Sequence, residues 1–181
     1  IAHEMGAAAP LLKKGLEEFT GVKRRFTKTG VVNDITIVDD YAHHPTEIET
    51  VLKTARRALS ETDGHVIAVM QPHRYSRLHD LFDEFCKCFN DADYVLIADV
   101  YTAGETPIEG ADKAHLAEGI RAHGHRDVRP VPEKSALSEM IADIARPGDF
   151  VICMGAGDIT AWAYALPDQL KQALDKKANA A

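Results

Sequence analysis

Ile35-Thr36-Ile37-Val38-Asp39-Asp40-Tyr41-Ala42-His43-His44-Pro45-Thr46-Glu47-Ile48-Glu49-Thr50-Val51-Leu52 decides the architecture. Its first four residues are all β-branched, the pattern of a buried strand. Its middle is polar. From Pro45 to Leu59 the apolar residues Ile48, Val51, Leu52 and Ala55 fall on one helical face, with Pro45 near the start. The unit is strand, loop, helix, and it recurs. His65–Met70 is a strand, followed by Gln71–Arg77 and a helix over Leu78–Phe89. Tyr94–Ala98 is a strand, followed by the Gly/Pro-rich loop Thr102–Gly110 and a helix over Ala114–Ala122. Val128–Val131 precedes a helix over Glu133–Ile144. Phe150–Met154 precedes Gly155-Ala156-Gly157 and a last helix, which Pro167 is expected to interrupt.

Apolar strands joined through helices predict an α/β fold, with a mostly parallel sheet and helices on both faces. Upstream, Arg24–Thr29 and Ile35–Val38 flank the turn signal Val32-Asn33-Asp34. That hairpin adds one antiparallel edge strand, for about six strands in all. Pro10–Phe19 has helical spacing. In such sheets ligands bind beyond the carboxyl ends of the strands. The loops at Asp39–Pro45, Gln71–Arg77, Asp99–Gly110 and Gly155–Thr160 are therefore the places to search.

Composition narrows the function. The chain has 181 residues, which fits one domain or at most two small ones, and is 45% hydrophobic, as a globular domain is. Its net charge of −7 argues against a nucleic-acid binder. No apolar run reaches the roughly 18 residues a membrane span needs. Three cysteines, Cys86, Cys88 and Cys153, make no paired framework, so no disulfides are expected. The start Ile1-Ala2-His3-Glu4 has no initiator Met, and the expectation is a fragment of a longer protein.

Two loops carry chemistry. Asp39–Glu47 gathers two carboxylates, a phenol and two imidazoles where a strand end aims them. A carboxylate there suits ribose hydroxyls, and an imidazole suits a carboxylate or phosphate. Metal binding by His43, His44 and Glu47 is disfavoured, because adjacent loop histidines point apart. Helix capping by Asp39 or His44 is the structural alternative. Gln71–Arg77 places Arg74 and Arg77 three apart at a helix start, where two guanidinium forks suit a carboxylate or phosphate. Lys23-Arg24-Arg25 is a solvated basic triplet or lends one arginine to a phosphate. Gly155-Ala156-Gly157 reads as a tight turn. No Walker A motif, G-x-S-x-G elbow or H-E-x-x-H helix is present.

Several segments in order resemble one family: Gly21-Val22-Lys23-Arg24-Arg25-Phe26, Asp39–Glu47, Gln71–Arg77, Ala103-Gly104-Glu105 with Pro107-Ile108, and Met154–Gly157. Together they resemble the C-terminal domain of the Mur ligases, on the branch that couples L-alanine to UDP-N-acetylmuramate. The resemblance covers nearly the whole chain. It implies a Rossmann-like domain of a three-domain bacterial cytoplasmic enzyme of peptidoglycan precursor synthesis, using ATP and Mg²⁺. An acyl phosphate of the lactyl carboxylate forms first, and the alanine amine then attacks it. The P-loop and the sugar-nucleotide site lie in the other domains, so this domain alone is expected to be inactive and to bind no cofactor tightly. By motif position, Arg74 and Arg77 would clamp the alanine carboxylate, with Tyr41, His43 and His73 lining the pocket. Asp40 would bind the ATP ribose, and Arg25 would reach toward the phosphates. No residue is assigned as the base for the amine, and no metal ligand is expected. The related ligase that reattaches recycled murein peptide tends to have Phe for Tyr41 and Ala for Glu47, and lacks the R-Y-S-R run. A non-catalytic Rossmann-like binding module is the alternative of another class. The family's Gly-Ala-Gly-Asn-Ile appears here as Gly155-Ala156-Gly157-Asp158-Ile159, which keeps an acceptor and loses a donor.

Overall fold

The computed structural model describes residues 4–18 and 22–179. Phe19, at the end of the first expected helix, lies outside them, as do Gly21 and the first three residues. Helix α1 (Ala9–Glu17) leaves Leu11 and Leu16 exposed. Strands β1 (Thr27–Val32) and β2 (Ile35–Asp40) form the expected hairpin. Its two turn residues, Asn33 and Asp34, both have left-handed backbone (φ 47° and 63°), the geometry of the tight hairpin loops Asn and Asp tolerate. The strand starts three residues later than Arg24, because Arg24 and Phe26 also have positive φ (59° and 48°), which breaks extended pairing.

The chain continues through α2 (Pro45–Ala58), β3 (Val66–Met70), α3 (Tyr75–Asp80), α4 (Phe82–Lys87) and β4 (Tyr94–Ile97). Then come α5 (Lys113–Ala122), β5 (Val128–Pro130), a 3₁₀ turn at Lys134–Ala136, α6 (Leu137–Ile144), β6 (Phe150–Met154) and α7 (Ile159–Ala178). The strands form one six-stranded sheet in the order β1-β2-β6-β3-β4-β5. Only the β1–β2 pair is antiparallel. The last strand enters between β2 and β3, so three loops from distant parts of the sequence become neighbours.

Alternate strand residues face two separate cores. Val38, Ala68, Val95 and Ile152 pack with Ile48, Leu52, Leu78, Phe85 and Leu116 of α2–α5. Ile37, Val69, Leu96 and Cys153 pack with Ile141 of α6 and Trp162, Leu166 and Leu170 of α7. The single helix expected over Leu78–Phe89 is two, broken at Leu81 (φ −116°, ψ 26°). Both halves keep Leu78 and Phe85 on the core, so the apolar spacing does not register the break.

Helix α7 is not interrupted at Pro167. Proline removes its own amide, and so leaves the Ala163 carbonyl without its helical donor. The Thr29 hydroxyl donates to that carbonyl at 2.9 Å. Thr29 reaches it from an irregularity in β1, where the pairing register slips between Lys28 and Gly30. Gly30 makes room: a Cβ there would lie 2.7 Å from Pro167 Cγ. Gly30→Ala is therefore expected to destabilise the domain by about 1–3 kcal/mol in chemical denaturation, as overpacking does. An unchanged midpoint would show that β1 and α7 yield freely.

Candidate functional site

The carboxyl ends of β2, β6, β3 and β4 stand side by side. Beyond β2, Asp39 is fully buried and accepts from the Thr160 hydroxyl at 3.2 Å. Burial raises its pKa, opposed by Thr160 and Arg24. Asp40 is also buried; one carboxylate oxygen takes the Phe26 amide at 2.7 Å and the other the Ala42 amide at 2.8 Å. Its first duty is to pin the irregular segment before β1 to the strand end. Asp40 also lines a hollow of about 390 Å³ with Arg25, Phe26, Thr46 and Glu47. Arg25 is exposed there.

Of the two capping candidates, the cap is His44: its Nδ1 accepts the Thr46 amide at 3.4 Å, and Glu47 closes the capping box from N3. Glu47 Oε2 accepts the His43 amide at 3.0 Å and the His44 amide at 3.3 Å. Burial pushes the Glu47 pKa up, but these two amides and the neighbouring His43 and Arg25 pull it below the usual value. Among the described residues no group of three or more His, Cys, Asp or Glu side chains is placed to hold a metal ion.

Beyond β3, Gln71 is buried and Arg74 takes a left-handed backbone (φ 75°) as the residue that begins α3. Arg77 donates to the His73 carbonyl at 3.0 Å and to His73 Nδ1 at 3.3 Å. Burial lowers the His73 pKa, and Arg77, His43 and Arg74 lower it further against Glu105. The α3 start holds an anion of the protein's own. Glu105 accepts the Ser76 amide at 3.0 Å and the Ser76 hydroxyl at 2.7 Å, and its Oε1 lies 3.7 Å from Arg74. The two Ser76 bonds hold the Glu105 pKa low. The Arg74 side chain is about half exposed (52%), so its remaining N–H groups face outward beside Glu105.

The rings of Tyr41, His43, His73 and Tyr101 form a row across this edge, with successive centroids 5.0, 6.0 and 5.3 Å apart. The row crosses above β6, whose following turn Gly155-Ala156-Gly157 bears nothing larger than a methyl. A Cβ on Gly157 would lie 2.5 Å from Tyr101 Cγ, and one on Gly155 2.8 Å from the Gln71 carbonyl oxygen. The tight-turn reading of this segment accounts for both. The Arg24 guanidinium lies 4.5 Å over the Tyr41 ring and donates to the Gly155 carbonyl at 2.6 Å. Asp158 accepts from Gln71 Nε2 at 2.7 Å and from the Trp162 indole at 3.1 Å, while Gln71 Oε1 accepts the Ile159 amide. Two donors meet residue 158, so an acceptor-only carboxylate fits.

The fold thus brings Tyr41, His43, His73, Arg74 and Arg77 to one edge, with Arg25 and Asp40 at the adjoining hollow. Sequence reasoning missed Arg24, Tyr101 and the role of Glu105. The sequence profile of the Mur ligase family, glutamate ligase domain, matches residues 24–157, which include Tyr41, His43, His73, Arg74 and Arg77.

The chain belongs to the Mur ligase family.

Within it, the chain is 61% identical over 171 residues to the UDP-N-acetylmuramate–L-alanine ligase of Nitrobacter winogradskyi, covering 94% of this chain and 36% of that protein. The chain therefore spans about a third of such relatives. Its fold superposes on the UDP-N-acetylmuramate–alanine ligase of Thermotoga maritima with a TM-score of 0.66 at 25% identity, over 99% of this chain and 35% of that one. The murein peptide ligase of Psychrobacter arcticus shares the fold at a TM-score of 0.67 and 24% identity, over 94% of this chain and 34% of that one.

Proposed function

We propose that this Mur ligase domain presents L-alanine and closes over ATP within a UDP-N-acetylmuramate–L-alanine ligase of the bacterial cytoplasm. The observation that carries this is the meeting of Arg74, Arg77, His73, His43 and Tyr41 at one sheet edge, two cationic forks beside two imidazoles and a phenol. Arg74 and Arg77 hold the alanine carboxylate. Tyr41 and His43 wall the amine end, and His73 lies beside the clamp, against Arg77. The clamp aims the amine at the acyl phosphate of the lactyl carboxylate and removes rotational freedom from the encounter. Arg25 faces the nucleotide phosphates from the rim of the neighbouring hollow. A ribose hydroxyl on Asp40 would use the lone pairs its two amide bonds leave over. UDP-N-acetylmuramate and Mg²⁺ would be held by other domains of the full-length ligase.

The test is a titration of this chain with L-alanine, using D-alanine as control, followed by amide and side-chain NMR shifts. Shifts clustered at Tyr41, His43, His73, Arg74 and Arg77 for the L form alone are expected, with weak affinity because the ligand is tiny. Sub-micromolar binding, or shifts centred elsewhere, would remove the assignment. The chain alone is expected to show no ATP turnover above a buffer blank.

A further inference from the structure

The two histidines at the centre of the ring row are held in opposite tautomers by their partners. His43 Nδ1 lies 2.9 Å from the Tyr41 carbonyl oxygen and 3.4 Å from Glu47 Oε2. Both neighbours only accept, so Nδ1 carries the proton. Glu47 cannot drift off, because the His43 and His44 amides hold the same oxygen. In the neutral ring, Nε2 is then a bare lone pair, without a hydrogen-bond partner among the described residues. His73 is the reverse. Arg77 only donates, so His73 Nδ1 must accept and Nε2 carries the proton. A second proton on Nδ1 would oppose Arg77 directly, which agrees with the lowered pKa of this ring. Across 6.0 Å, one imidazole offers an acceptor and the other a donor.

An amino acid at neutral pH presents the matching pair, an ammonium that donates and a carboxylate that accepts. We propose that His43 Nε2 is the base that takes the proton from the substrate ammonium, while the His73 Nε2–H joins Arg74 and Arg77 on the carboxylate. This rests on the amino-acid site proposed above. In the step, an N–H bond of the ammonium breaks and its proton passes to His43 Nε2. The freed nitrogen lone pair attacks the acyl-phosphate carbonyl carbon; the C–O bond to phosphate breaks with its electrons leaving on phosphate, and the nitrogen gives its second proton to that phosphate, leaving the neutral amide. The imidazolium returns its proton to the released phosphate or to water. The titratable groups packed against His43 are Glu47 of α2, Tyr41 beyond β2 and His73 beyond β3. Glu47 steadies the imidazolium as it forms.

Two measurements test this. In this chain, long-range ¹⁵N–¹H correlation of the histidine rings is expected to show the proton on Nδ1 of His43 and on Nε2 of His73; the opposite assignment at His43 overturns the proposal. In the full-length ligase, His43→Asn keeps a donor for the Tyr41 carbonyl and lacks Nε2. Its rate is compared with L-alanine and with hydroxylamine, an amine already neutral at pH 7. The alanine-to-hydroxylamine rate ratio is expected to fall about a hundredfold, the ordinary scale of proton-transfer catalysis, and to recover as pH rises. KM for ATP should be unchanged. Equal loss with both amines would make His43 a structural residue and end the proposal. Failure of the unaltered full-length protein to ligate L-alanine at all would end the underlying reading as well.

Discussion

Arg74→Ala in the full-length ligase is expected to raise KM for L-alanine about 30- to 100-fold and leave KM for ATP within about twofold. The magnitude is that of one charge-assisted hydrogen-bonded pair, about 2–3 kcal/mol. Arg74 is suited to show a clean effect because it packs little: its side chain is half exposed, and its one carboxylate neighbour, Glu105, is also held by Ser76. Removing the guanidinium therefore leaves the α3 start intact. Arg74→Lys keeps the charge but not the fork, and should recover only part of the affinity. Arg77→Ala should behave differently. It frees His73 Nδ1 and the His73 carbonyl as well as the ligand, so kcat should fall together with the rise in KM. Steady-state kinetics with both substrates varied separates these outcomes. An equal rise in both KM values would assign Arg74 to a phosphate instead.

Asp40→Asn is expected to lower the stability of this chain by about 2–4 kcal/mol, with no nucleotide present. Both carboxylate oxygens accept backbone amides, from Phe26 and from Ala42. An amide side chain can satisfy only one and presents its own donor to the other, in a buried place. By the usual scaling for a domain of this size the melting temperature should fall by roughly 5–15 °C. The same loss should accompany weaker ATP binding in the full-length enzyme, because Arg25 sits within the segment Asp40 pins. A variant as stable as the parent but with a raised KM for ATP would make Asp40 a ribose ligand first.

The alternation of apolar strands and helices was legible from the residues alone, and so was the hairpin, because Asn33-Asp34 suits left-handed turn geometry. The entry of β6 between β2 and β3 was not, since no local pattern encodes which parallel strands become neighbours. The positions Tyr41, His43, His73, Arg74 and Arg77 stood out because each lies just beyond a strand. Tyr101 and Glu105 did not, because their partners His73 and Ser76 become adjacent only once the sheet is assembled. Arg24 read as part of a basic triplet. Its work depends on a left-handed backbone that turns it back over Tyr41, which spacing does not reveal. Pro167 read as a break because its remedy, the Thr29 hydroxyl, comes from far away in sequence.

That remedy has a mechanical consequence. The hydroxyl of Thr29 and the gap at Gly30 tie the outermost strand to the longest helix through a hydrogen bond and a close contact that neither could make elsewhere. Edge strands ordinarily fray first. Here fraying of β1 would also expose the uncompensated Ala163 carbonyl in the first half of α7. The two elements should therefore open as one unit, with amides of β1 and of the first half of α7 exchanging with solvent at a shared rate.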